Sequence, residues 1–263
     1  MTQTETTLAD LLRKGEAGGA RIGLALSLDG KLLFGHRADE RFISASVVKI
    51  AIMVEVFRAA DAGGLRLDQP VTVTADMMAP GSGIMNHLAP GYTLKLRDVL
   101  YLMMSISDNT ATNILIDMAG MDRINATMQA LGMTGSVLGR KMRGRRAIAG
   151  EAENIAVPAD YDRLIGAIVN GTAASAPACA EMMDLLRGQQ NERRLARFLP
   201  EGADWGSKTG TVEGVVNDAG FLRTAKGTAV LSMFTEGFER MVDAEAVLGD
   251  LAQAAFRLAG VLD

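Results

Sequence analysis

A serine and a lysine three residues apart could form a catalytic pair in the stretch ISASVVKIAIMVEV (43–56). Side chains three positions apart on a helix are neighbours, so a helical stretch would bring Ser46 and Lys49 into contact. Burial among apolar side chains favours the neutral form of a lysine, and a neutral amine can activate a serine nucleophile. The alternative is that Lys49 extends to water from the edge of a buried helix.

Two further polar motifs follow this pair along the chain. Ser-Asp-Asn (107–109) interrupts an apolar helical pattern, and Lys-Thr-Gly (208–210) lies on a predicted strand whose glycine would allow a ligand backbone to approach closely. As an alternative, Ser-Asp-Asn could be only a turn between two helices that caps the second helix. Likewise, Lys-Thr-Gly could lie on an exposed edge strand, where the lysine charge prevents pairing with another strand. The three motifs in this order are a strong signal for serine acyl-transfer chemistry.

The elements that would position these motifs differ between the ends and the middle of the chain. Strands over 20–28 and 31–37 flank Asp29-Gly30, a strong hairpin signal, and three more short strands are predicted near the other end, at WGSKTGTV, NDAGFLRT and GTAVLSMFTEG. Residues 44 to about 198 read as largely helical, and amphipathic helices lie at both termini. We therefore expect an α/β sheet lobe from 1–43 plus 199–263, covered by the terminal helices, and an all-helical lobe from 44–198, joined as one catalytic domain.

Composition excludes several classes of function. The chain has 263 residues, 48% of them apolar, with a formal net charge of −4 and a single basic cluster, RKMRGRR (140–146). No apolar run approaches the length of a membrane-spanning helix. We expect a soluble monomer that acts on a small molecule and binds neither nucleic acid nor a membrane.

Histidine and cysteine are too few for the common alternatives to a serine–lysine pair. His36 and His87 are the only histidines, and a structural role suits each of them better than a Ser-His-Asp triad. Cys179 is the only cysteine, so no intrachain disulfide is expected and its apolar surroundings predict a buried thiol. No zinc-site spacing or nucleotide-binding motif is present, so the sequence predicts neither a metal nor a cofactor.

The N-terminal segment MTQTETTLADLLRKGEA carries early acidic residues and no apolar core, so it does not read as a signal peptide. As the chain stands we expect a cytoplasmic protein, and a periplasmic one if a leader was removed.

The chain resembles the penicillin-recognising serine hydrolases, and among them the class A β-lactamases. FGHRADERFISASVVK resembles the stretch leading to that family's nucleophile, SDNTATNIL its helical-lobe turn, and LLRGQQNERRLARFLPEGADWGSKTG with NDAGF its third and following strands. The resemblance covers residues 20 to 260. It implies an α/β (α+β) two-lobed β-lactamase/transpeptidase-like fold, with an antiparallel sheet built from both chain ends.

The resemblance also implies roles in acylation. Ser46 would attack a carbonyl and form an acyl-enzyme, and Lys49 would take or relay its proton. Ser107 would pass a proton to the leaving nitrogen. The backbone N–H groups of Ser46 and Thr211 would form the oxyanion hole, whose donors typically contribute a few kcal/mol each to the transition state.

By the same resemblance, four residues would bind the substrate. Asn109 would hold its amide side chain. Lys208, with Thr209 and Gly210 of the same motif, would face its carboxylate and raise the local positive potential.

One position departs from the class A pattern, in the loop 138–158. A class A glutamate in this loop activates the water that hydrolyses the acyl-enzyme, and Met142 occupies the corresponding position here. A thioether cannot accept a proton from water. Glu151 is the candidate replacement, and Glu153 lies close by, although both also read as solvated loop carboxylates.

Three functions stay open at this point. The first is a β-lactamase-type serine hydrolase acting through Ser46, and the second is a related DD-peptidase, amidase or esterase. The third is a penicillin-binding-like module with little turnover.

Overall fold

Five strands drawn from both ends of the chain form one antiparallel sheet in the computed structural model, which describes residues 3–263. In sheet order, the strands are β2 (Lys31–His36), β1 (Arg21–Leu28), β9 (Gly227–Glu236), β8 (Val215–Thr224) and β7 (Asp204–Val212). Because β9 pairs with β1, the last strand of the chain joins the N-terminal hairpin to the C-terminal strands.

The hairpin between β1 and β2 turns at the residues that the sequence indicates. Asp29 and Gly30 have φ angles of 47° and 79°. Positive φ at both central residues is the requirement of a type I′ turn, whose twist matches that of the flanking strands. The predicted hairpin is confirmed, with a register irregularity between Leu26 and Ser27 that the sequence does not signal.

Helices from the two termini cover one face of the sheet. They are α1 (Gln3–Glu16) and α8 (Met241–Leu258), and they pack against each other as well as against the strands. Alternate residues of β1 point into this layer, as the two-residue period of a strand requires, and Ile22 and Leu24 are fully buried there.

The opposite face of the sheet meets the helical part of the chain. Its helices are α2 (Lys49–Asp61), α3 (Leu96–Ser105), α4 (Asn109–Ala119), α5 (Met121–Ala130), α6 (Pro158–Val169) and α7 (Ala176–Arg187). Two small strand pairs join β3 (Phe42–Ile43) to β6 (Ile155–Ala156) and β4 (Pro70–Thr72) to β5 (Thr93–Lys95). The sequence analysis misses both pairs, because strands of two or three residues carry no measurable periodicity.

Helix α2 lies at the centre of the molecule. Its residues from Lys49 to Phe57 are all buried, and the apolar ones share one hydrophobic core with Phe221 and Phe234 of the sheet. The predicted fold class is confirmed. The proposed division into lobes at residues 43/44 and 198/199 stays a prediction, since this core spans both.

Across residues 3–263 no helix combines the length and the hydropathy that crossing a bilayer requires.

Candidate active site

The backbone around Ser46 changes direction sharply. Ala45 has a φ of 44°, a conformation that costs a non-glycine residue energy, and Ala45–Val48 form a single 3₁₀ turn that leads into α2. Ser46 is partly exposed, whereas Val47 and Val48 are fully buried. The turn therefore holds the serine at the surface of a cavity while its neighbours anchor it to the core.

Gly210 on β7 packs directly against this turn. A Cβ atom at this position would lie 2.9 Å from Ser44 O and 3.0 Å from Ser46 N. The sequence analysis explains the glycine by the close approach of a ligand backbone, and that explanation stays a prediction. The chain segment that approaches is the turn that carries Ser46, so the glycine sets the separation between this turn and β7.

Lys49 is fully buried, so the alternative that it extends to water is wrong. Its Nζ donates hydrogen bonds to Ser107 O at 2.7 Å, to Ser107 Oγ at 3.0 Å and to Asn109 Oδ1 at 2.9 Å. Burial holds the pKa of Lys49 well below its usual value, and the charge of Lys208 lowers it further against the opposing effect of Asp108. Lys49 thus connects the Ser-Asp-Asn turn to the helix that follows Ser46.

The Ser-Asp-Asn segment is both a helix cap and a rigid support. Asp108 is buried; its Oδ1 accepts from Ala111 N at 3.0 Å, and its Oδ2 accepts from Ile84 N at 2.7 Å. Ser107 has a φ of 60°, so its backbone is also in the left-handed region. The cap that the sequence suggests as an alternative is therefore present, and it fixes the strained residue that binds Lys49.

Lys208 lies on β7, which is an edge strand, but it does not guard that edge against solvent. Its side chain is fully buried and Nζ donates to Thr209 O at 2.9 Å. Burial and the charge of Arg194 lower the pKa of Lys208 to about 7, although Asp218 opposes them. Lys208 lies close enough to Lys49 to lower the pKa of Lys49. When protonated, Lys208 therefore creates a positive potential beside the Ser-Asp-Asn turn.

Arg194 is a site residue that the sequence analysis misses. This buried guanidinium donates to Gly210 O at 3.1 Å, to Asn217 O at 2.8 Å and to Thr211 Oγ1 at 2.6 Å, and it pairs with Glu245 at 3.2 Å. It therefore fixes the end of β7 that faces Ser46. No local signal separates it from the other arginines of the run NERRLARF (191–198).

Two adjoining cavities border these residues. A cavity of about 110 Å³ is lined by Ser46, Asn109 and Thr211, and a cavity of about 360 Å³ is lined by Ser107 and Thr209. Positions 107 and 109 belong to one turn and positions 209 and 211 to one strand, so the two cavities are parts of a single cleft. The predicted motif residues thus border one cleft, but Lys49 Nζ hydrogen-bonds to Ser107 and Asn109 and not to Ser46 Oγ, so the expected contact between Ser46 and Lys49 stays a prediction.

Met142 lines the smaller cavity and is buried. Its backbone is fixed by Asn113, whose Oδ1 accepts from Met142 N at 2.8 Å and whose Nδ2 donates to Met142 O at 3.0 Å. The position that the sequence comparison gives to a water-activating glutamate therefore holds a thioether that faces the same space as Ser46.

Glu151 does not line either cavity. Its carboxylate pairs with Arg143 at 2.6 Å and Arg145 at 2.7 Å, and the Arg145 bond together with the Ile148 N–H lowers its pKa to about 2. Such a carboxylate is a weak base, so we do not carry Glu151 forward as the activator of water. Glu153 does line the smaller cavity, but it accepts from Arg140 at 3.0 Å and from Ala147 N at 2.6 Å.

The histidines lie outside the cleft. His36 Nε2 is 3.3 Å from Glu16 Oε2, and His87 is exposed in a short 3₁₀ helix; neither lines a cavity that contains Ser46 or Ser107. Cys179 is a buried thiol, as its surroundings predict. Within residues 3–263 no cluster of three or more His, Cys, Asp or Glu side chains could hold a metal ion.

The model of a family described as the beta-lactamase enzyme family matches residues 3–259. The chain belongs to this family. It is a β-lactamase-type serine hydrolase, so the resemblance seen in the motifs is confirmed.

Two proteins of known structure superpose closely on this chain. A β-lactamase from Sphaerobacter thermophilus is 43% identical, with a TM-score of 0.95 and 98% of each chain covered. PBP-A is 25% identical, with a TM-score of 0.86 over 96% of this chain and 95% of its own, and a mutant of PBP-A has been solved as an acyl-enzyme complex with penicillin G.

A curated relative with a stated activity also covers most of the chain. The carbapenem-hydrolysing β-lactamase KPC of Klebsiella oxytoca is 29% identical over 255 residues, which are 92% of this chain and 85% of that protein.

Proposed function

We propose that Ser46 is the nucleophile that a β-lactam acylates and that Lys49 is the base that activates it. The observation that carries this proposal is the environment of the Lys49 amine, which is fully buried and, within residues 3–263, hydrogen-bonded only to neutral oxygens of Ser107 and Asn109. Burial without a carboxylate partner favours the neutral amine, which is the form that can accept a proton from a hydroxyl.

The reaction begins when Ser46 Oγ attacks the lactam carbonyl and its proton passes to Lys49. The carbonyl oxygen becomes negative, and it is stabilised by the backbone N–H groups of Ser46 and Thr211. One such donor typically contributes about 3 kcal/mol to the transition state. Ser107 Oγ then passes its proton to the lactam nitrogen as the C–N bond breaks, and Lys49 Nζ, 3.0 Å away, gives Ser107 the proton that it took from Ser46.

Substrate recognition uses the charge and the amide at the cleft. Lys208 and Thr209 attract the carboxylate of the β-lactam, and the support for this role is the buried Lys208 amine, which lies close enough to Lys49 to lower the pKa of Lys49. Asn109 holds the acyl side chain through its amide, which also donates to Pro80 O at 2.9 Å and so has a fixed orientation. Gly210 keeps the turn of Ser46 at the distance from β7 that both oxyanion donors require.

Hydrolysis of the acyl-enzyme is the slow step of this proposal. Met142 offers no proton acceptor, and a general base at this position contributes about 10²–10⁴-fold to such a step. We therefore propose rapid acylation followed by slow turnover. A hydrolase and a penicillin-binding module would then differ only in the lifetime of the acyl-enzyme ester at Ser46. We also propose that the chain acts as a monomer, since one chain supplies every residue invoked here.

The proposal is tested by Lys49→Ala and Ser46→Ala in an acylation assay with a chromogenic cephalosporin. Both variants should lose acylation by at least about 10²-fold, the lower range for a positioned proton acceptor. Circular dichroism serves as the control for folding. Acylation of folded Lys49→Ala at the wild-type rate would eliminate Lys49 as the base, and a p-nitrophenyl ester run in parallel distinguishes a general esterase.

A further inference from the structure

Asn217 is a fully buried amide on β8 that the proposed reaction does not use. It pairs across the sheet with Gly210 of β7, so both residues point to the same face, toward the turn that carries Ser46. Because Gly210 has no side chain to fill this space, the Asn217 amide reaches the two residues that precede the turn, Ile43 and Ser44.

The Asn217 amide is held in one orientation by the sheet. Its Nδ2 donates to Ile43 O at 2.9 Å and to Ser44 O at 3.2 Å, and its Oδ1 accepts from Thr235 N of β9 at 2.9 Å. The Thr235 N–H can only donate, so it selects the oxygen of the amide as its partner. Both hydrogens of Nδ2 are therefore directed at the two carbonyl oxygens.

The two residues before the turn are held at each of their backbone polar groups. Ile43 N donates to Glu236 Oε1 at 2.8 Å and Ser44 N donates to Asn154 O at 2.8 Å, while Asn217 binds both carbonyl oxygens. The next residue in the chain has a φ of 44°. A strained backbone of this kind persists only where the surrounding structure fixes it, and these bonds fix it from one side.

We propose that Asn217 is a positioning residue of acylation, which places the backbone N–H of Ser46 by holding the carbonyl oxygens of Ile43 and Ser44. Ser44 O and Ser46 N are the two atoms of the turn that come closest to a Cβ at Gly210, so both lie against the same point of β7. If Ser44 O is released from Asn217, the turn can shift and the Ser46 N–H shifts with it. The inference rests on the function proposed above, in which this N–H stabilises the carbonyl oxygen under attack.

The test compares acylation by a p-nitrophenyl ester with acylation by its thionoester, in which sulfur replaces the carbonyl oxygen. N–H donors placed for an oxygen stabilise the larger and more weakly accepting sulfur less well. The ratio of the two acylation rates, here called the oxygen preference, therefore reports on the oxyanion hole itself, whereas a general loss of folded protein lowers both rates equally.

Asn217→Asp keeps the size of the side chain but turns the two donors into an acceptor that faces two carbonyl oxygens. It should slow acylation by the ester by about tenfold or more, since complete loss of one oxyanion donor costs about 10²–10³-fold. The oxygen preference should shrink by a similar factor. Asn217→Ala removes the same donors without adding a charge, should reduce the oxygen preference in the same direction, and decides the question if Asn217→Asp does not fold.

Asn125→Asp is the matched control. Asn125 of α5 also brackets a backbone segment, since its Nδ2 donates to Leu138 O at 3.0 Å and its Oδ1 accepts from Leu138 N at 2.9 Å, but it lines neither cavity. This variant should lower the melting temperature and keep the wild-type oxygen preference. An unchanged oxygen preference in a folded Asn217 variant overturns the positioning role while labelling of Ser46 by the ester still supports the nucleophile, and absence of that labelling in the wild type overturns both.

Discussion

Adding one methyl group at Gly210 should damage acylation far more than folding. In Gly210→Ala the new Cβ would meet Ser44 O at 2.9 Å and Ser46 N at 3.0 Å, both of which are backbone atoms that cannot rotate away. Ordinary contacts of a Cβ begin at about 3.4 Å, so the turn must move from β7 by about half an ångström. The backbone N–H of Ser46 moves with it.

The size of the effect follows from the proposed oxyanion hole. Donors act there at about 2.7–3.1 Å, and complete loss of one donor costs about 10²–10³-fold in rate. A half-ångström displacement removes most of that contribution, so we expect acylation of Gly210→Ala to fall by about 10²-fold. Stopped-flow measurement with a chromogenic cephalosporin under single-turnover conditions reads this rate directly.

Two other glycines provide controls for the same substitution. A Cβ at Gly166 of α6 would meet no atom within 4 Å, so Gly166→Ala should acylate normally. A Cβ at Gly206, on β7 but distant from Ser46, would lie 2.8 Å from Arg187 N, so Gly206→Ala should lower the melting temperature without a selective loss of acylation. Wild-type acylation by Gly210→Ala would refute the reasoning, as would a loss fully explained by unfolding.

Three further outcomes follow from the charges of the protein. Because the pKa of Lys208 is about 7, this residue is a cation below that pH and neutral above it. Between pH 6 and 8.5, kcat/KM for a penicillin should therefore fall relative to kcat/KM for an uncharged p-nitrophenyl ester. Lys208→Ala should abolish this difference between the two substrates. Burial raises the pKa of Asp162 to about 6 against the opposing hydroxyl of Ser27, so the folded state binds this proton more tightly than the unfolded chain. The stability that protonated Asp162 contributes is then lost as pH rises from about 4 to 6. Asp162→Asn should remove this loss and raise the free energy of unfolding at pH 7, measured by urea titration, by about 1–3 kcal/mol. Met142→Glu should shorten the lifetime of the penicillin acyl-enzyme by at least about tenfold, because it supplies a general base. The gain is smaller than for an exposed base, since burial of a carboxylate costs free energy. An unchanged lifetime in time-resolved mass spectra would show that position 142 does not face the attacking water.

The fold and the main motifs could be predicted from the sequence because their signals are local. The Asp29-Gly30 turn, the amphipathic terminal helices and Pro158 at the start of α6 each fix one element through backbone preferences of a few residues. The short strands β3 and β6 could not be predicted, since their pairing depends on contacts between distant segments.

The sequence predicts the motif residues of the candidate site, but neither Arg194 nor the contacts that the site residues make. Gly210 reads as a small residue on a strand, yet only the fold reveals that it adjoins the turn of Ser46. Arg194 is indistinguishable in sequence from Arg193, although the first is buried against β7 and the second is exposed. Glu151 resembles a free loop carboxylate until Arg143 and Arg145 are seen to neutralise it.

The most direct test of the account is the mass of the wild-type protein over time after mixing with penicillin G. We expect each molecule to gain the mass of one penicillin within the mixing time, the adduct to map to the peptide that contains Ser46, and the ester to persist through a slow steady state. Rapid sustained hydrolysis with no accumulated adduct, or an adduct on a residue other than Ser46, would contradict the account.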